Sequence, residues 1–260
     1  MATIYIGTSG YSYTEWVGPV YPEGTRSCDF LSLYSTEFPT VELNFSYYRM
    51  PRKEQLQKMS CDVPQSFKFS IKAHESLTHT VDFNLWQKNA GQFRDALEIP
   101  ADNGQLAAVL FQFPYSFHYE TDRRRYLDAL LREFSSYPLA VEFRNSKWYN
   151  SRTIEALKNR DIALTSLDLP QAPRTPPIMD VHTSRLSYIR LHGRNRENWW
   201  GSDAANRYDY LYSTKELEAI ASRIRTVAAY SESVLVYFNN HRRGQAVQGA
   251  RELGKILRIR

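Results

Sequence analysis

The sequence is poor in the features that mark special protein classes. Only two cysteines, Cys28 and Cys61, stand in 260 residues, far apart and with no C-x-x-C pair. A disulfide scaffold, a thiolate metal knuckle and a dithiol redox motif are therefore not expected, and both thiols read as reduced in a cytoplasmic protein. No apolar run exceeds six residues, the longest being 106–111, whereas a membrane-spanning helix needs roughly 20. The opening MATIYIG lacks a basic stretch followed by an apolar segment, so neither a leader nor a membrane partner is expected. Low-complexity linkers are lacking too, and 11 glycines with 12 prolines are ordinary counts, so disorder is not expected.

What is present describes a globular protein. A composition 42% hydrophobic and 23% charged supplies a sizeable core, and 260 residues suit either two small domains or one α/β barrel. The formal charge of +5 fits an anionic partner, either a small anionic ligand or a nucleic acid, and it equally fits plain solubility.

Eight segments have strand character: Ile4–Thr8, Thr40–Phe45, Phe67–Lys72, Ala107–Phe113, Leu139–Arg144, Ile162–Leu167, Ser187–His192 and Ser233–Asn239. Helical patterns separate most of them. The clearest has Ser213 and Glu216 as a capping box ahead of a stripe of Leu217, Ile220, Ala221, Ile224, Val227 and Ala228. Thr121 is expected to cap a helix burying Tyr126, Leu127, Leu130, Leu131 and Phe134; Ser27 is expected to cap one burying Phe30, Leu33, Tyr34 and Phe38. Pro51 suits the first position of another, and residues 85–97, 151–159 and 244–257 complete the set. Pro170, Pro173, Pro176 and Pro177 forbid a regular helix after the sixth strand, so an irregular connection is expected there. Eight βα units predict a single-domain (β/α)8 TIM barrel over residues 1–260, with an open doubly wound sheet as the alternative.

The fifth strand carries the functional signal. Leu139, Val141 and Phe143 fall on one face, while Ala140, Glu142 and Arg144 fall on the other, with the two charges about 7 Å apart along the strand. Because a buried ion pair adds little net stability, charges on an interior face point to a site. The same alternation sends inward Glu42 and Asn44; Lys68, Ser70 and Lys72; Gln112; Arg190 and His192; and Tyr237 and Asn239. Most of these lie at C-terminal strand ends, the face where barrel enzymes work. The competing reading is a lattice of salt bridges among long side chains, and for Lys68 a structural role is expected.

The stretches GTSGYSYTEW from Gly7, VELNFSYYRMP from Val41, FKFSIKAHESLTH from Phe67, AVEFRNSKW from Ala140, YIRLHGR from Tyr188 and VYFNNH from Val236 together resemble the YecE-like family, a domain of unknown function numbered 72. The resemblance runs through nearly the whole chain. It implies a TIM barrel and brings no established reaction. The family's recurrent polar positions match Glu42, Asn44, Lys72, Glu142, Arg144, Arg190, His192, Asn239 and Asn240. In FQFPYSF, Tyr115 stands where the family usually has a second proline.

The expected chemistry is carboxylate acid/base catalysis on a small phosphorylated or sugar-like anion. Glu142 is the candidate acid or base, and Arg144, Glu42, Lys72 and His192 are its catalytic neighbours. Asn44, Gln112, Arg190, Asn239 and Asn240 are candidate substrate ligands. A phosphate site is expected where the loops after strands seven and eight meet, built from Gly193, Arg194, Arg242, Arg243 and Gly244. Trp199, Trp200, Tyr208, Tyr210 and Tyr212 crowd the loop after strand seven, as a lid, a stacking platform or an oligomer contact. Neither a cofactor nor a metal is expected. A divalent-metal isomerase or phosphodiesterase using Glu142, Asp168 and His192 is an alternative that Arg144 and Arg190 would oppose by repulsion. Glycosidase chemistry is disfavoured because Glu42 and Glu142 lie three strands apart. The alternative from a different class is a nucleic-acid-binding protein using basic loops and stacking; exposed cations would mark it, converging cations an enzyme.

Overall fold

The strands expected from alternation are present and all run parallel in one sheet. The computed structural model describes residues 2–171, 174–197, 199 and 204–259. Its strands are β1 (Thr3–Ser9), β2 (Thr40–Leu43), β3 (Lys68–Lys72), β4 (Leu106–Phe113), β5 (Leu139–Phe143), β6 (Ala163–Leu164), β7 (Ser166–Asp168), β8 (Leu186–Leu191) and β9 (Ser233–Phe238), in the order β6-β5-β4-β3-β2-β1-β9-β8-β7. The two ends of this sheet are separated in the chain by Thr165 alone, so the sheet curls into a barrel whose sixth stave is split.

That split corrects the expectation of one continuous strand over 162–167. Toward β5 the first half keeps its ladder, Ala140 opposite Ala163 and Val141 opposite Leu164. On its other side Thr183 takes the place of a strand: its hydroxyl accepts from the Leu164 amide and donates to the Ile162 carbonyl, both at 2.8 Å. Only from Ser166 onward does the stave pair with β8. The connection that carries Thr183 has no helix among the described residues, as its prolines require; Pro173 lies outside the described residues.

Around the barrel lie α1 (Phe30–Glu37), α2 (Phe45–Tyr48), α3 (Lys53–Cys61), α4 (Trp86–Asp102), α5 (Thr121–Glu133), α6 (Ser151–Lys158), α7 (Ala204–Arg207), α8 (Thr214–Ala228) and α9 (Gln245–Leu257). The capping box of α8 forms, and Leu217, Ile220, Ala221, Ile224 and Val227 are buried. Local details differ elsewhere. Ser27 and Thr121 do not cap their helices, Leu33 is exposed while Leu31 is buried, and α4 runs on through Pro100 in its last turn. Pro51 lies ahead of α3 rather than in its first position, and Phe45 leaves β2 to open α2. No described helix is long and apolar enough to cross a membrane.

Two apolar layers result. Leu139, Val141 and Phe143 join the outer core between strands and helices. Ala108, Leu110, Ala140, Leu186, Tyr188, Leu235 and Tyr237 pack inside the barrel. Gly7 in β1 has no room for a side chain, since a Cβ there would strike the backbone carbonyl of Thr40. Gly7→Ala should force the β1–β2 pair apart and lower unfolding free energy by about 1–3 kcal/mol or more, as read from urea denaturation.

Candidate functional site

Above the inner apolar layer the barrel turns polar through tyrosine hydroxyls. Thr40 Oγ1 donates to the Lys68 carbonyl at 2.8 Å, which leaves the Tyr237 hydroxyl to donate to Thr40 at 2.7 Å. Tyr188 donates to Glu42 Oε2 at 2.7 Å and in turn takes the Ser70 hydroxyl at 2.6 Å. These bonds satisfy one oxygen of a carboxylate that is fully buried.

Arg190 satisfies the rest. Its Nη2 meets Glu42 Oε1 at 2.7 Å and its Nη1 meets Glu142 Oε2 at 2.6 Å, so one planar fork bridges two carboxylates. Glu142 Oε1 is held by Arg144 Nε at 2.5 Å and lies 3.7 Å from His192 Nε2. Much of the expected mouth is thus a buried ion lattice. Glu42 and Arg190 are buried in this lattice, and among the described residues only Arg144 of the six charged residues expected to converge lines the mouth cavity. Glu42 and Glu142 are also brought together by a single guanidinium, despite lying three strands apart.

The lattice sets protonation. Burial alone would raise Glu142, but Arg144 and Arg190 with His192 hold it well below the usual carboxylate range. Glu142 is therefore a fixed anion, badly suited to the acid/base role expected for it. His192 is pushed down to about 3 by burial and by Arg144, so its ring is neutral. One ring nitrogen faces Asn239 at 2.9 Å and the other faces Arg144 Nη2 at 3.3 Å, which makes Asn239 the group that orients it.

Arg144 alone of the charged set leads outward. It forms a wall of a cavity of about 250 Å3 together with Gln112, His79, Tyr115, Trp199 and Tyr208 among others. Lys72 stands beside this wall: Nζ donates to Gln112 Oε1 at 2.9 Å and lies 4.3 Å over the Tyr47 ring. Burial, reinforced by Arg190, pushes its amine down to about 7. His79 falls to about 4, from burial first and then the Lys72 and Arg144 charges.

His79 and Tyr47 were not singled out in the sequence. Both sit just past strand ends, Tyr47 in α2 and His79 in a turn, inside the motifs VELNFSYYRMP and FKFSIKAHESLTH, and the position of Tyr115 was notable only as a departure from a family pattern. Asn44, at the N-cap of α2, has a side-chain oxygen without a hydrogen-bond partner among the described residues. Asn240 is fully buried and ties the loop after β8 by donating to the Tyr210 carbonyl at 2.7 Å.

The chain matches the family described as "Protein of unknown function DUF72" over residues 5–260. It belongs to the DUF72 family. A curated relative is the UPF0759 protein YunF of Bacillus subtilis (strain 168), 28% identical over 271 aligned positions, covering 98% of this chain and 95% of that one. Among solved structures, a DUF72 protein of Thermotoga maritima MSB8 superposes with a TM-score of 0.90 at 34% identity over 98% of this chain and 99% of that chain. One from Enterococcus faecalis V583 gives 0.88 at 25% identity, over 99% and 96%. A xylose isomerase-like TIM barrel/4-hydroxyphenylpyruvate dioxygenase fusion protein shares the fold alone, with a TM-score of 0.52 at 12% identity over 99% of this chain and 44% of its own.

Two further expectations change within this DUF72 barrel. Asp168, considered as a metal ligand, is fully buried and engaged by Arg194 Nε and Nη2 at 2.8 and 2.7 Å, Arg223 at 3.1 Å and the Tyr212 hydroxyl at 2.9 Å. The phosphate site does not assemble as drawn. Arg194 turns to Asp168 and Glu216, Arg242 to Asn206 and Asp209, and Arg243 to solvent. The Gly193 amide is already donated to Tyr212, and Gly244 is buried. Tyr212 and Trp199 are likewise buried, with Trp199 packed on Leu167 and Leu169; Trp200 lies outside the described residues.

Two measurements check this electrostatic account. Glu142→Gln leaves Arg190 and Arg144 under-compensated and should lower unfolding free energy by about 3–5 kcal/mol, as read by chemical denaturation. The folded Lys72 value, about 7, lies below its ordinary 10.5, so between these values the unfolded chain binds more protons. The penalty for burying the ammonium is full below about pH 7 and relieved as pH climbs toward 10.5. Lys72→Met should therefore raise thermal stability at pH 6.5 and converge with the parent protein at high pH.

Proposed function

We propose that this DUF72 protein is an enzyme acting on a small anionic substrate, with Arg144 as the anion anchor and Lys72 as the group that changes protonation. The observation that carries this reading is the position of Arg144. Its inner edge is fixed by Glu142, its side chain remains 18% exposed, and it lines the mouth cavity beside Gln112 and His79. A guanidinium held rigid on one side by a carboxylate is preorganised to receive a second anion on the other.

Size and placement favour a small ligand. The cavity of about 250 Å3 lies below the roughly 300–1,000 Å3 of pockets for drug-sized molecules, so it suits a carboxylate, phosphate or sulfate bearing few further atoms. The nucleic-acid reading is less well supported. Arg194 and Arg242 are paired with carboxylates and Trp199 and Tyr212 are buried, which among the described residues of these loops leaves Arg196 and Arg243 as the exposed arginines and removes two of the expected stacking faces. Glu142 acts through Arg144, and His192 through both.

Calorimetric titration with sulfate, which does not itself titrate near neutrality, tests the anchor. Arg144→Gln should weaken binding about tenfold or more, equivalent to about 1.4 kcal/mol. The parent affinity should fall as pH rises through about 7, where Lys72 loses its charge, and Lys72→Met should abolish that step. Equal affinity in the parent and Arg144→Gln would remove the anchor.

A further inference from the structure

Counting acceptors in the barrel mouth isolates one side chain. Three of the four carboxylate oxygens of Glu42 and Glu142 accept hydrogen bonds, two from Arg190 and one from Tyr188, and the fourth, Glu142 Oε1, is in ion-pair contact with Arg144. Lys72, on the same inner surface, is left without a counter-ion and forms no ion pair among the described residues. Its ammonium end meets a neutral amide oxygen, Gln112 Oε1, and the face of Tyr47. Neither partner requires the amine to be charged, since a neutral amine donates to an amide as well.

The backbone beneath it is rigid. The Ser46 hydroxyl donates to the Lys72 carbonyl at 2.6 Å, and the Ala73 amide donates to Leu110 at 2.8 Å. The side chain thus starts from a fixed Cα at the C-terminal end of β3. It reaches a wall residue of the cavity into which Arg144 opens, and His79 on that wall lies within electrostatic range of both. The amine and the anion anchor therefore stand at the same wall of one small cavity, Arg144 lining it and Lys72 bonded to the lining residue Gln112.

We propose that Lys72 Nζ is a nucleophile that condenses with the carbonyl carbon of a small oxo acid whose carboxylate is held by Arg144. The oxo-acid part rests on the reading of Arg144 given above; the nucleophilic amine does not. In the reaction the nitrogen lone pair bonds to the carbonyl carbon while the C=O π pair moves to oxygen. A proton passes from nitrogen to that oxygen to give a carbinolamine. The hydroxyl then takes one proton from solvent and leaves as water as the nitrogen lone pair forms the C=N bond, leaving a protonated imine. No oxidant or reductant is needed. Desolvation of the amine agrees with this role. An ordinary lysine is neutral in only on the order of one molecule in two thousand at pH 7.

Incubation of the full-length protein with pyruvate and sodium cyanoborohydride at pH 7, followed by intact-mass analysis and peptide mapping, tests the assignment. Hydride reduces the C=N carbon and fixes the adduct as a secondary amine. One adduct per chain is expected, on Lys72 and not on Lys53, Lys58 or Lys147. Lys72→Met should lose it, and because the map of the parent protein already locates the adduct, the test survives failure of that variant to fold. Arg144→Gln should reduce pyruvate labelling to the slower rate given by acetone, which has no carboxylate. No adduct, or adducts scattered over surface lysines, would overturn the proposal even if sulfate binds at Arg144. Labelling of Lys72 by acetone as fast as by pyruvate, unchanged in Arg144→Gln, would sustain the nucleophile and defeat the anion anchor.

Discussion

The barrel depends on one guanidinium placed between two carboxylates. Arg190 enters from β8 and joins Glu42 of β2 to Glu142 of β5 across the buried interior. Without it two buried carboxylates would lose their shared cation, and without them Arg190 would be an uncompensated buried charge. Only arginine has a planar fork that serves both at once. Replacement by lysine would give a point charge able to satisfy one acid well and the other poorly.

From this bridge the character of the mouth follows. With Glu142 pinned as an anion, Arg144 is fixed along its inner edge and presents its remaining surface to the cavity. His192, lodged among Arg144, Glu142 and Asn239, stays neutral because it is buried and because adding a proton would place another cation beside Arg144. With every oxygen of both acids engaged, Lys72 is left to an amide and an aromatic face. The carboxylates that look like catalysts by residue type therefore serve to organise cations, and the reactive candidates are the cations they leave available.

A second lattice explains why the basic loops do not converge. Asp168, at the end of β7, draws Arg194, Arg223 and the Tyr212 hydroxyl to one buried carboxylate. This fastens the loop after β8 to the split stave and turns Arg194 away from solvent. Gly193 and Gly244 do adopt positive φ, at 83° and 75°, as their turns require, but these conformations serve chain reversal and packing. Glycines beside arginines at a helix start resemble an anion nest in sequence, and acidic partners elsewhere, Asp168 and Glu216 for Arg194 and Asp209 for Arg242, cancel the resemblance.

Period-two alternation, helical stripes and the Ser213–Glu216 box are local signals, because each depends on residues within a turn or a strand of one another. They were enough to determine the staves, most covering helices, the barrel, and the inward direction of Glu42, Lys72, Gln112, Glu142, Arg190 and His192. The break at Thr165 was not legible, since it depends on Thr183 arriving from a distant loop to occupy a strand's hydrogen bonds. Nor were Tyr47 and His79, since a single helical turn and a turn of chain have no periodicity to show which way a side chain points. Above all, pairing is a tertiary property. Sequence determined that acids and bases share the interior of this barrel, while three-dimensional closure alone decided which acid meets which base, and so which charge remained for a ligand.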